Sequence, residues 1–241
     1  MKRKILLLVF TLAALTLAIA PLSYATPATQ PILIGSHWTV YNNRHTKANT
    51  IPSGGVEFSF PDASTPDYTH YLLNNFKAEL TSSNTITAEF KVVASSSATA
   101  FVGNPSGGCP GSSSSLCPGA VRLFFQSNLP VAGVESGFCV GPGYNEDNYW
   151  WSNDGTTNSY YQLTTGSSPD TVTLSVSLEP AKWSNLCGSK GTDHPDAFNA
   201  AIANIKIVGL SFGSGYFFAN GVGVNYTTGT ETFQLLRYEI S

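Results

Sequence analysis

Residues 171–179 read Thr-Val-Thr-Leu-Ser-Val-Ser-Leu-Glu, apolar at every second position. Side chains of a strand point alternately to opposite faces, so Val172, Leu174, Val176 and Leu178 share one face and hydroxyl groups fill the other. A helix cannot gather such a set on one side; a half-buried strand can. The same period returns with Val56, Phe58 and Phe60 set against Glu57 and Ser59, and with Ile86, Ala88, Phe90 and Val92 set against Thr87, Glu89 and Lys91. A chain built from such segments must lay their apolar faces against another layer.

Further strands are expected at 98–102, 121–126, 137–140, 148–152 and 159–164, then at 205–212, at 216–219 continued by 221–224, and at 231–240. One helix interrupts them, over 195–205. Pro195 stands at its first position, and Phe198, Ala201, Ile202 and Ile205 follow at three- to four-residue spacing. This pattern predicts an all-β fold, a two-sheet antiparallel β-sandwich (jelly roll) with one short capping helix. Residues 26–50 are expected as an N-terminal extended segment with at most a short strand. No linker divides 51–241, which is expected as a single β-sandwich domain.

The chain begins Met-Lys-Arg-Lys, runs apolar over 5–20, and then reads Pro21 and Ser23-Tyr24-Ala25. A charged start, a short apolar stretch and a small-residue exit predict a signal peptide over 1–25. The stretch is shorter than the roughly 20 residues a membrane span needs. A secreted, extracellular product with no membrane span in the mature chain is expected. Removing the leader leaves nine basic residues against fifteen acidic ones, a net charge near −6. Nucleic acid is a poor partner for such a chain, because phosphate binding needs clustered Lys and Arg. Charged residues are only 11% of the sequence, so hydroxyl and amide groups must carry its solubility.

Four cysteines in an exported chain read as two disulfides. The repeats Cys109-Pro110-Gly111 and Cys117-Pro118-Gly119 bracket a Ser-rich loop, which pairs Cys109 with Cys117 and, by elimination, Cys139 with Cys187. The spacing lacks the paired short-gap ligands of a thiolate zinc site.

The C-terminal stretch AFNAAIANIKIVGLSFGSGYFFANGVGVNYTTGTETFQLLRYEIS, with Trp183-Ser184 upstream of it, resembles the closing segment of galactose-binding-like jelly rolls of secreted bacterial proteins. The likeness covers about the last third of the chain. It implies a carbohydrate-binding module or an accessory domain of a glycan-active protein, with a polysaccharide or glycan as partner. That is an analogy of fold, and fold alone does not fix function.

The densest aromatic cluster is Tyr149-Trp150-Trp151, flanked by Asn145, Glu146, Asp147 and Asn148 and by Ser152, Asn153 and Asp154. Flat rings stack on the apolar face of a pyranose while amides and carboxylates bind its hydroxyls. The candidate ligand-binding residues are therefore Tyr149, Trp150, Trp151 and Tyr160, with Glu146 and Asp154 as polar partners. In a strand Trp150 points away from Tyr149 and Trp151, so core packing competes for part of the cluster. A turn at Asp154-Gly155 would fold 148–152 and 159–164 into a hairpin, bringing a tyrosine beside the tryptophans. Trp183, close to Cys187, reads as packing.

Catalytic residues are not assigned. Glu57 and Glu89 point off the core faces of their strands, and surface carboxylates are ordinarily solvated. Ser112–Ser115 lack the nucleophile elbow, and His37, His45, His70 and His194 show no zinc spacing. The oxygen-rich loops 145–148 and 193–196 are candidates for a structural calcium ion, although neither fits a calcium-loop pattern. No metal ligand is assigned. The expected function is a secreted, non-catalytic sandwich that binds carbohydrate. Its rivals are an extracellular structural or filament-forming protein, self-associating by strand addition, and a glycan-active hydrolase or lyase.

Overall fold

The computed structural model describes residues 30–31, 37–42, 46–65, 67–94, 100–104, 117–130, 145–153, 159–165, 171–214, 218–225 and 228–241. The leader at 1–25, the strand expected at 137–140, and Cys109, Cys139 and Asp154 lie outside these residues. In chain order the strands are β1 (Gln30–Pro31), β2 (Trp38–Tyr41), β3 (Thr46–Lys47), β4 (Asn49–Thr50), β5 (Val56–Ser59), β6 (Tyr71–Ala78), β7 (Thr85–Ala94) and β8 (Ala100–Gly103). They continue with β9 (Cys117–Ser127), β10 (Tyr149–Ser152), β11 (Tyr160–Gln162), β12 (Val172–Ser177), β13 (Trp183–Asn185), β14 (Ile205–Ser214), β15 (Val222–Asn225) and β16 (Glu231–Ile240). The one α-helix among the described residues is α1 (Pro195–Ile202).

The strands form an all-β sandwich of two antiparallel sheets. Six belong to the smaller sheet, in the order β12-β7-β16-β5-β4 with β1 added to β16. Ten belong to the larger, whose spine is β13-β10-β9-β14-β6-β2-β3. Alternation decides what faces the core. Ile86, Ala88, Phe90 and Val92 of β7 and Leu174 and Val176 of β12 are buried, while their hydroxyl and charged neighbours face outward. The larger sheet answers with Trp38, Val40, Leu72, Val121, Leu123, Phe125, Val208, Leu210 and Phe212. Rings bridge the layers: Phe212 lies 5.5 Å from Phe58 and 5.2 Å from Phe233, and Trp38 lies 5.2 Å from Tyr238. The alternation of β16 slips by one residue at a bulge between Leu235 and Arg237 and resumes with Tyr238 inward. An extra residue of this kind bends a strand without emptying its core face.

The helix α1 buries Phe198, Ala201 and Ile202, as its spacing predicts, and ends earlier than expected because Ile205 already opens β14. Phe198 meets Trp150 at 4.8 Å and Phe125 at 6.1 Å, so the helix closes one end of the sandwich.

Three expectations are corrected. The segment expected to precede the domain is built into it: β2 pairs with β6, and its Trp38 and Val40 are core residues. Residues 218–220 form a turn instead of continuing a strand from 216. Nor do β10 and β11 form a hairpin. Both pair with the same edge of β9, Tyr149 opposite Gln126 and Trp151 opposite Phe124, then Tyr160 opposite Arg122 and Gln162 opposite Ala120. They are two halves of one interrupted strand. The Ser152 hydroxyl spans the interruption, donating to the Ser159 carbonyl at 2.5 Å and accepting from Leu123 N–H at 3.0 Å.

Candidate functional site

The outer face of the larger sheet, turned away from the core, carries residues that read across the strands in three rungs. One runs Tyr41, Tyr71, Ser211, Arg122 and Tyr160. The next runs Thr39, Leu73, Gly209, Phe124, Trp151 and Ser184. The third runs Asn75, Ile207, Gln126 and Tyr149. Outer faces of antiparallel sheets are usually polar. This one is lined with rings.

The rings touch in sequence. Tyr41 meets Tyr71 at 6.0 Å, Tyr71 meets Phe124 at 4.9 Å, Phe124 meets Trp151 at 5.2 Å, and Trp151 meets Phe218 at 6.5 Å. Tyr71 and Phe124 stand on β6 and β9, two strand spacings or about 9.6 Å apart, with β14 between them. Their rings therefore meet above β14. Gly209, with no side chain, occupies the second rung there, and any Cβ at this position would collide with the Leu72 carbonyl oxygen. The Trp151 indole N–H donates to Ser211 Oγ at 3.0 Å, and that hydroxyl donates in turn to the Phe218 carbonyl.

Arg122 lies between two rings, its guanidinium carbon 3.9 Å from the centre of Phe218 and 4.6 Å from that of Tyr160, and Nη1 donates to the Ser152 carbonyl at 3.2 Å. Stacking suits this weakly hydrated, planar cation. Burial pushes the Tyr71 phenol well above the ordinary tyrosine range, and the nearby Tyr149 and Tyr41 phenols raise it further. The three hydroxyls thus lie within electrostatic reach of one another, and Tyr71 stays a neutral donor and acceptor.

The sequence-predicted residues divide. Trp150 is 0% exposed, stacks over Phe125 and donates from its indole to the Asp147 carbonyl at 2.7 Å. It is a core residue and has no face to offer a ligand. Trp151 points to the outer face but is only 3% exposed, and Phe124 beneath the same row is 2% exposed. These two are a floor. Tyr149 and Tyr160 are half-buried on the outer face, and Tyr41 is 41% exposed. Glu146 sits in the 3₁₀ turn Glu146–Asn148 that leads into β10. Trp183 is buried and donates to the Ser177 carbonyl at 2.8 Å, the packing role expected of it.

Sequence reasoning missed Tyr41, Tyr71, Phe124 and Arg122. The signal was present in Tyr71-Leu72-Leu73, Leu123-Phe124-Phe125 and Tyr149-Trp150-Trp151, where alternation fails because both faces are apolar or aromatic.

Several residues considered for chemistry have structural partners. Glu57 accepts from Gln234 at 2.8 Å, and Glu89 pairs with Arg237 at 3.1 Å, both on the outer side of the smaller sheet. His70 Nδ1 lies 2.9 Å from the Ala219 carbonyl. No Asp or Glu stands on the three rungs of the larger sheet among the described residues. A recess lined by Lys77, Glu79, Asn128, Asn204 and Lys206 contains no aromatic ring. Cys117 and Cys187 are each disulfide-bonded, and no helix among the described residues is long and apolar enough to cross a membrane.

No family model matches the chain, and no curated protein matches it. Two solved structures show a loose likeness. One is the glycoside hydrolase domain of Endo-D from Streptococcus pneumoniae R6, 12% identical, matched over 88% of this chain and 21% of its own length with a TM-score of 0.28. This chain therefore spans about a fifth of that protein. The other is described in the words "Prominent members of the human gut microbiota express endo-acting O-glycanases to initiate mucin breakdown". It is 6% identical, matched over 90% of this chain and 92% of its own, with a TM-score of 0.35. Likenesses this loose establish neither the fold nor the function of the chain.

Proposed function

We propose that the protein is an exported carbohydrate-binding sandwich that holds its ligand on the outer face of the ten-stranded sheet and performs no hydrolysis there. The continuous row of rings from Tyr41 through Tyr71 to Phe124 and Trp151 carries this reading. Exposed Tyr41 and half-buried Tyr71 at one end offer flat surfaces to the C–H face of a sugar ring, and the buried rings behind them fix their orientation at little entropic cost. Tyr149, Gln126 and Asn75 supply hydroxyl and amide groups on the same face for sugar hydroxyls. Glycoside hydrolysis generally requires two carboxyl groups flanking the scissile bond, and the described residues of the three rungs contribute none. Export rests on the leader expected at 1–25.

A glycan array followed by calorimetry tests the reading. The chain is expected to bind at least one polysaccharide class, with Tyr41→Ala and Tyr71→Ala each weakening it about five- to tenfold, the loss of one stacking contact of about 1–1.5 kcal/mol. Thr173→Ala, on the outer side of the opposite sheet, should leave affinity unchanged. A folded wild-type chain that binds no glycan sinks the proposal.

A further inference from the structure

The two oxygen-rich loops that the sequence singles out separately are brought together by the fold. Glu146 and Asp147 come from the turn before β10, and His194 caps the N-terminus of α1. One ligating atom from each lies within 4.8 Å of the others. We propose that these three side chains form a binding site for a zinc-like divalent cation, which fastens the root of β10 to the helix that closes the sandwich.

The distance between His194 Nδ1 and Asp147 Oδ2 is 3.5 Å. A nitrogen–oxygen hydrogen bond is ordinarily 2.7–3.2 Å long, so the pair stands too far apart to be a good direct bond. Two ligands bound at about 2.0–2.1 Å to one tetrahedral ion lie roughly 3.3–3.4 Å from each other. The observed gap fits shared ligands better than a hydrogen-bonded pair.

Charge points the same way. Two acidic side chains stand close together here, and a divalent ion offsets their mutual repulsion. The donor set also selects the ion: calcium takes oxygen ligands, whereas one imidazole with two carboxylates suits zinc and its neighbours. Asp147 is held by an outer hydrogen bond of the kind that orients metal ligands, Asn185 Nδ2 donating to Oδ1 at 2.9 Å and leaving Oδ2 toward the histidine. On the other side of the turn, Cys187 Sγ packs against the Glu146 carboxylate.

The site is separate from the ring-lined face, so its fate does not depend on the carbohydrate reading. The test uses the full mature chain stripped with EDTA and titrated with ZnCl2, with CaCl2 as a parallel arm. One zinc ion per chain is expected, raising Tm by about 5 °C or more at a hundredfold excess over Kd. His194→Gln and Asp147→Asn should each weaken zinc binding at least tenfold, with unchanged circular dichroism, while His37→Ala, an exposed control, leaves it intact. Absence of zinc binding overturns the proposal. So does binding that survives both site variants, or calcium binding without zinc.

Discussion

At the scale of single residues, Gly209 shows how one missing side chain shapes both sides of a sheet. Its carbonyl accepts the Tyr238 hydroxyl from the core side at 3.3 Å, and the Tyr71 ring reaches Phe124 across its strand on the outer side. Gly209→Ala should therefore destabilise the fold by about 1–3 kcal/mol through overpacking, read as a lower urea midpoint, and weaken glycan binding as well. Unchanged stability would mean that β6 and β14 can part freely. The two tyrosines flanking this glycine also set an alkaline limit. Burial raises both phenols above the ordinary value of 10.0, so above that pH the unfolded chain releases protons that the folded chain still holds. Stability must fall as pH rises past 10, since protons are lost preferentially from the unfolded state. Urea melts from pH 8 to pH 11 should show this decline, and Tyr71→Phe should make it shallower. An equally steep decline in Tyr71→Phe would remove Tyr71 as a cause.

The strands explain what the sequence discloses and what it hides. In β5, β7 and β12 one face meets water, so the alternation is clean and the core residues Phe58, Phe90 and Leu174 are legible in advance. The strand β6 escapes the same reading because Tyr71, Leu72 and Leu73 are successive large side chains, serving the outer row and the core in turn. Alternation within β10 separates Trp150 from its neighbours, but no local pattern tells which tryptophan faces inward. Long-range pairing decides it: Asn148 accepts from the Ser127 hydroxyl at 2.9 Å and from Leu129 N–H at 2.6 Å, fixing the strand's root against the end of β9. The two sides of β10 should respond differently to truncation. Trp150→Ala should cost about 3–5 kcal/mol of stability, the usual penalty for removing a buried large ring, whereas Tyr149→Ala should cost under about 1 kcal/mol and act mainly on ligand affinity. Chemical denaturation beside calorimetry separates the two effects, and a mild Trp150→Ala would contradict its place in the core.

For the whole molecule, the larger sheet is the organising element, since it faces the hydrophobic core on one side and presents the ring-lined surface on the other. A sheet so used must keep its curvature and register, and β9, one of its inner strands, begins at a disulfide-bonded cysteine, Cys117. The second described cysteine, Cys187, is disulfide-bonded beside the turn that roots β10. Covalent links at these two places would steady both strands that carry Arg122, Phe124 and Trp151. Sequence spacing assigns Cys117 to Cys109 and Cys187 to Cys139. In the chain-entropy model the first closes a short loop worth roughly 2.5 kcal/mol, and the second a loop of nearly fifty residues worth about 4 kcal/mol. The longer link should therefore dominate: Cys139→Ala with Cys187→Ala should lower stability more than Cys109→Ala with Cys117→Ala. Non-reducing peptide mapping of the chain should yield one fragment joining 109 to 117 and another joining 139 to 187. A fragment joining Cys117 to Cys139 would refute the pairing and leave the order of the two losses without its basis.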